Sequence, residues 1–169
     1  MKRFGMLSLS AVLALGVASI SDSAMAQQKV TKDQLVGTWT FVTCTETNGT
    51  TPAFCVNRNG RMMFDAMGHY MFSAAPSGRQ NPLTGNTTRA RLSGDQFKAM
   101  ADGFVSNFGN WSFNDADQTL TQTAEIALFP NNEGREVKRK VSLSGDELRV
   151  TVTGADGAVV GTDIWRRAR

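Results

Sequence analysis

The chain has one histidine, two cysteines, one tyrosine and four prolines among its 169 residues. A lone His69 with Cys44 and Cys55 does not make the three- or four-ligand cluster of a zinc site. Neither a metal centre nor another cofactor is expected. Charge of one sign is also lacking: 18 basic residues face 15 acidic ones, and the basic residues are scattered apart from Lys138-Arg139-Lys140. A nucleic-acid groove needs a clustered basic face with stacking aromatics, so no nucleic acid is expected as a partner. No nucleophile–base pair or carboxylate pair at a recognisable spacing is present, and no catalytic residue is assigned. No apolar run beyond Ile20 is long enough to span a bilayer, and there is no internal repeat.

What is present begins at the N-terminus. Met1-Lys2-Arg3 is a basic start, Phe4 to Ile20 is apolar, and Ala24-Met25-Ala26 is a small-x-small cleavage site before Gln27. This pattern reads as a secretory signal peptide over residues 1–26. No cysteine lies near the cleavage site, so no lipid anchor is expected, and no stable membrane anchor remains after cleavage. Removing residues 1–26 lowers the net charge from +3 to +2. Residues 27–169 then form one domain, periplasmic or secreted, with Gln27 to Asp33 as a polar lead-in. In that setting Cys44 and Cys55 read as one disulfide. It closes a short loop and restricts the unfolded chain by about 2–3 kcal/mol.

Short alternating segments separated by turn signals make up the rest. Strands are expected over 35–45, 61–65, 69–74, 110–114, 119–129, 136–144, 147–153 and 159–166. Asp65-Ala66-Met67-Gly68, with Asp first and Gly fourth, is a type I hairpin turn. Residues 75–91 are rich in Pro, Gly, Asn and Ser, and such long loops tend to act as lids or binding loops. Ser93 with Gln96 forms a capping box. It opens one helix whose apolar stripe is Phe97, Met100, Ala101, Phe104, Val105 and Phe108, with Gly109 as the stop. The stripe is expected to pack on the barrel flank, with closure of the mouth as the alternative. Eight sequential antiparallel strands with one α-helix between the third and fourth give an all-β, up-and-down barrel.

Several stretches carry a family likeness. They are Leu35-Val36-Gly37-Thr38-Trp39, the hairpin Met63 to Tyr70, Thr119 to Asn131 with its Leu128-Phe129-Pro130-Asn131 turn, Leu143 to Leu148, and Trp165-Arg166. Across residues 35–166 the chain resembles the bacterial lipocalin-like domain family of the calycin group. The resemblance implies a barrel with an interior cavity and no single activity. Gln122 is a departure, at a position where relatives often carry histidine. At the barrel base, Gly37 and Trp39 are expected to be capped by Arg166, or by its neighbour Arg167.

Alternation gives the expected lining. Leu120, Gln122, Ala124, Ile126 and Leu128 share a face, as do Val137, Arg139, Val141 and Leu143. Phe41, Tyr70, Phe72, Trp111, Phe113, Gln122, Ile126 and Arg139 are the candidate ligand contacts. An arginine among apolar residues is costly unless paired. Arg139 therefore either clamps an acidic head group, pairs internally with Asp163 or Glu125, or reaches to the rim. Met62, Met63, Met67 and Met71 crowd the second hairpin, as core filling or as an adaptable pocket mouth, and His69 is read as exposed. The leading expectation is an exported binder of a small apolar or amphiphilic molecule, acidic if Arg139 is a clamp. One alternative is a protein-interaction or protease-inhibitor module using a free Gln27–Asp33 segment. Another is a cyclase- or isomerase-like enzyme on a hydrophobic substrate.

Overall fold

The computed structural model describes residues 29–79, 92–154 and 156–169. The segment read as a signal peptide and most of the Pro/Gly-rich loop before Ser93 lie outside the described residues. A short helix α1 (Lys32–Leu35) leads into β1 (Gly37–Glu46), β2 (Arg58–Phe64) and β3 (His69–Pro76). Helix α2 (Gly94–Ala101) follows, then β4 (Val105–Asn114), β5 (Thr119–Ala127), β6 (Glu136–Ser144), β7 (Glu147–Thr153) and β8 (Val159–Arg167). All neighbours are antiparallel and the sheet closes into a barrel in sequence order. β1 and β8 make the closing seam, with Phe41 opposite Trp165 and Trp39 opposite Arg167. Closure pairs the first strand with the last, so neither is the free edge of an open sheet. Among the described residues no helix is long and apolar enough to cross a membrane.

The core follows the alternation. Trp39, Phe41, Met62, Phe64, Tyr70, Trp111, Leu120, Val141, Leu148, Val150 and Trp165 are buried in one cluster. Two seams part toward one end. β1 pairs with β2 only over Gly37–Thr40, and β6 pairs with β7 only over Val141–Ser144. A 3-10 turn at Ala53–Cys55 fills the gap beyond the first seam. The Cys44–Cys55 disulfide, with Cα atoms 5.7 Å apart, ties that turn to β1. This end, where the loops after β1, β3, β5 and β7 gather, is the mouth. The hairpins after β2, β4 and β6 and helix α1 form the base.

The structure departs from the sequence reading in four places. The helix ends at Ala101, and Val105 to Phe108 belong to β4. Gly103, at φ +65°, stops the helix, and from Val105 onward inward residues recur every second position. The Phe97-to-Phe108 stripe is therefore split between two elements, and no α2 residue is buried. Second, a bulge between Phe108 and Gly109 of β4 faces Ala124 to Ile126 of β5. One extra residue reverses the inside–outside phase, so Ile126 is 53% exposed and Leu128 also faces solvent. Gly109 sits at this bulge because a Cβ there would collide with the Thr123 carbonyl.

Third, the described part of the lead-in is tied to the barrel. Val30 is buried, its N–H donates to Gln118 Oε1 at 2.7 Å, and its carbonyl accepts from Gln118 Nε2 at 3.0 Å. Leu35, expected in the first strand, is in α1 and fully buried. Fourth, of the two arginines read as the cap, Arg167 and not the first-named Arg166 covers Trp39. Its guanidinium lies 4.2 Å from the Trp39 ring centre and donates to the carbonyls of Val36 (3.1 Å) and Gln34 (2.5 Å) at the end of α1. Arg166 is exposed on the outer wall. Alternation explains it: Arg167 shares the inward face of Trp165, and Arg166 does not.

Candidate functional site

Inward side chains of β3, β5, β6 and β8 meet in the upper half of the barrel. They enclose a cavity of about 310 Å³ lined by Tyr70, Phe72, Gln122, Arg139, Asp163 and Trp165, with Arg135 and Asn132 from the loop after β5. A second chamber, of about 380 Å³, lies under the disulfide-tied turn. Its walls are mostly apolar: Phe41, Pro52, Phe54, Val152 and Val160. The two share Phe72, Val105, Asp163 and Trp165 in their walls. Phe41 and Phe72 pack edge-to-face on Trp165, with centroids 5.2 and 5.8 Å away, and fix that ring between the chambers.

The polar groups of the first chamber are few. Arg139 donates from one terminal nitrogen to Gln122 Oε1 at 3.0 Å. That bond accounts for Gln122, a buried polar residue on an otherwise apolar face. Arg139 forms no ion pair within 4.0 Å of Asp163 or of any other described carboxylate. Glu125 is instead on the outer wall, accepting from Asn110 at 2.6 Å. No fully buried side-chain nitrogen or oxygen among the described residues lacks a partner. Among the described residues Gln122 is the one hydrogen-bond partner of the guanidinium, which lines the cavity.

Burial dominates the electrostatics. It pushes Arg139 below its ordinary value, with Asp163 and Tyr70 pulling the other way. Arginine stays charged even so. Burial raises the Asp163 carboxyl above its usual range, more than Arg139 and Arg58 lower it. Tyr70 is raised by the same cause and lowered by Arg139. The chamber thus holds a cation of fixed charge, a carboxyl that keeps its proton to a higher pH than usual, and a phenol.

Of the residues read from sequence, Tyr70, Phe72, Gln122 and Arg139 line the first chamber, and Phe41 and Phe72 the second. Trp111 and Phe113 do not line either. Trp111 packs on Phe64 near the base, centroids 4.7 Å apart, and donates to the Asp65 carbonyl at 3.0 Å. Phe113 packs at the margin of the same core. Ile126 is outside the barrel. Sequence reasoning missed Trp165 as a lining residue and named Asp163 only as an internal ion-pair partner for Arg139. The signal was available, since Asp163, Trp165 and Arg167 lie two apart on β8 and share one face.

A lipocalin-like domain matches residues 36–168. The chain belongs to the lipocalin-like domain family. A crystal structure of a mutant of the fluorescent protein UnaG is similar at 14% identity and a TM-score of 0.36. The match covers 81% of this chain and 98% of that one. Comparison with the curated proteins gives no match.

Proposed function

We propose that this lipocalin-like protein is an exported carrier of a small amphiphilic molecule with an acidic head group. The head group sits at Arg139 beside Gln122, and the apolar part lies in the chamber walled by Phe41, Phe54, Val152 and Val160. The observation that carries this reading is the Arg139 guanidinium, bonded on one side to Gln122 and open on the other to a cavity. A buried cation without a paired carboxylate is costly, and a ligand carboxylate or phosphate offsets that cost through a charge-assisted hydrogen bond. Pockets of this size with an apolar lining and a few placed polar groups suit small molecules. Phe54, Phe129, Val159 and Val160, all exposed at the mouth, give an apolar molecule a path in. Export is supported by the basic–apolar–Ala-x-Ala N-terminus and by the Cys44–Cys55 bond.

The test compares decanoate with decanol, followed by tryptophan fluorescence in wild type and in Arg139→Met. Decanoate binding weakens by about 1.5–3 kcal/mol in the variant, the worth of a charged hydrogen bond, and decanol binding is unchanged. Equal decanoate affinity in the two proteins removes the clamp. A second reading, proton-transfer chemistry on a hydrophobic substrate, draws on Asp163, whose raised carboxyl faces the same cavity. Loss of turnover in Asp163→Asn with ligand affinity retained is its signature.

A further inference from the structure

The β2–β3 hairpin carries a group of side chains that the cavity does not use. Met63 to Met71 contains three thioethers (Met63, Met67, Met71) and the chain's one imidazole, His69, within nine residues. Phe64 and Tyr70 point into the core. Met63 and Met71 therefore point outward, 47% and 53% exposed, and the His69 side chain is 59% exposed. Met63 and Met71 are directly opposite across the hairpin, a placement that sets their Cβ atoms about 4.5–5.5 Å apart. His69 is two residues before Met71 on the same face of β3, about 7 Å along the strand. All three project from the same outer face of the hairpin.

The imidazole is already oriented. His69 Nδ1 is 2.8 Å from Asp65 Oδ2, and the His69 N–H donates to Asp65 Oδ1, also at 2.8 Å. An ionised carboxylate only accepts hydrogen bonds, so Nδ1 is the nitrogen engaged by Asp65 and Nε2 is the one left for a ligand. A carboxylate on the far ring nitrogen is how metal-ligating histidines are held in other proteins. Phe108 of β4 stands opposite Met71 and flanks the group on the outer wall.

We propose that Met63, Met71 and His69 form a binding site for a soft monovalent cation, Cu(I) or Ag(I), on the outside of the barrel. Two thioethers and a neutral imidazole select such an ion over the hard cations and carboxylate-seeking metals. Met67 at the turn, 80% exposed, supplies a further thioether two residues before His69. Packing alone explains the group poorly, because residues half in water gain little from burial.

Ag(I), which needs no reductant, is titrated into the full-length, disulfide-intact protein by calorimetry and methionine-methyl NMR. One ion binds per chain, and the Met63 and Met71 methyl and His69 ring signals shift together. The double variant Met63→Leu/Met71→Leu, which conserves volume, and His69→Ala each lower the affinity at least tenfold. Met100→Leu on α2 leaves it unchanged. Failure to take up Ag(I), or uptake unaltered in the double variant, overturns the site. So does self-association lost in the double variant without any Ag(I) binding, which would assign Met63, Met71, Phe108 and Ile126 to an interface between two copies.

Discussion

Asp163 is the residue whose placement changes the chemistry of the cavity most. Its carboxyl is raised because burial outweighs the attraction of Arg139 and Arg58. The sign of the linkage follows. The folded state holds this proton at a pH where the unfolded chain has released it. Stability contributed at Asp163 is therefore greatest in acid and declines as pH rises from the ordinary carboxyl value, near 4, through the raised one. Asp163→Asn has no such decline. Urea unfolding at pH 4 and pH 8 should show the variant gaining stability relative to wild type as pH rises. A difference that is flat with pH would show that the Asp163 carboxyl is not raised. The exposed Asp65 and Asp117, both lowered by hydrogen bonds, shift both proteins alike and cancel in the comparison.

At the scale of the element, the β4–β5 bulge decides which face of a strand is inside. Before it, Leu120, Gln122 and Ala124 are buried as strict alternation requires; after it, Ile126 is in water. Leu120→Ala should cost about 2–5 kcal/mol, as for a fully buried leucine, and Ile126→Thr should stay within about 0.5 kcal/mol. Denaturant midpoints measure both, and a large loss at Ile126 would put that side chain back inside. The helix boundary has a related origin. Phe97, Met100, Ala101 and Phe104 fit a helical spacing, and Val105 with Phe108 continues it by coincidence of 3.6- and 2-residue periods. Only the left-handed Gly103 and the pairing of Val105 with Ala74 separate the two elements.

For the whole molecule, the base is closed by contacts between the two ends of the domain. Arg167, the last residue of β8, bonds the carbonyls that finish α1 and covers Trp39. A cation at a helix C-terminus also meets the negative end of the helix dipole. Arg167→Met should cost about 2–4 kcal/mol, from charged hydrogen bonds and the cation–π contact. Arg166→Met should cost under about 0.5 kcal/mol. Thermal unfolding of the pair reads this directly, and equal effects would mean that the base is sealed otherwise.

The sequence by itself determined the strand count, the hairpin order, the capping box at Ser93 and the pairing of Cys44 with Cys55, because each is written in local periodicity, turn residues or cysteine number. It also placed Tyr70, Phe72, Gln122 and Arg139 on inward faces, since alternation within an unbroken strand is a local property. Tertiary structure decided the rest. A bulge is visible only when two strands are paired, so Ile126 could not be placed from its own strand. Whether Arg139 meets Asp163, Glu125 or open space depends on how four strands from distant parts of the chain converge. The cavity lies toward the mouth, where the β1–β2 and β6–β7 seams part, and such a parting belongs to the pairing of strands and not to any one of them.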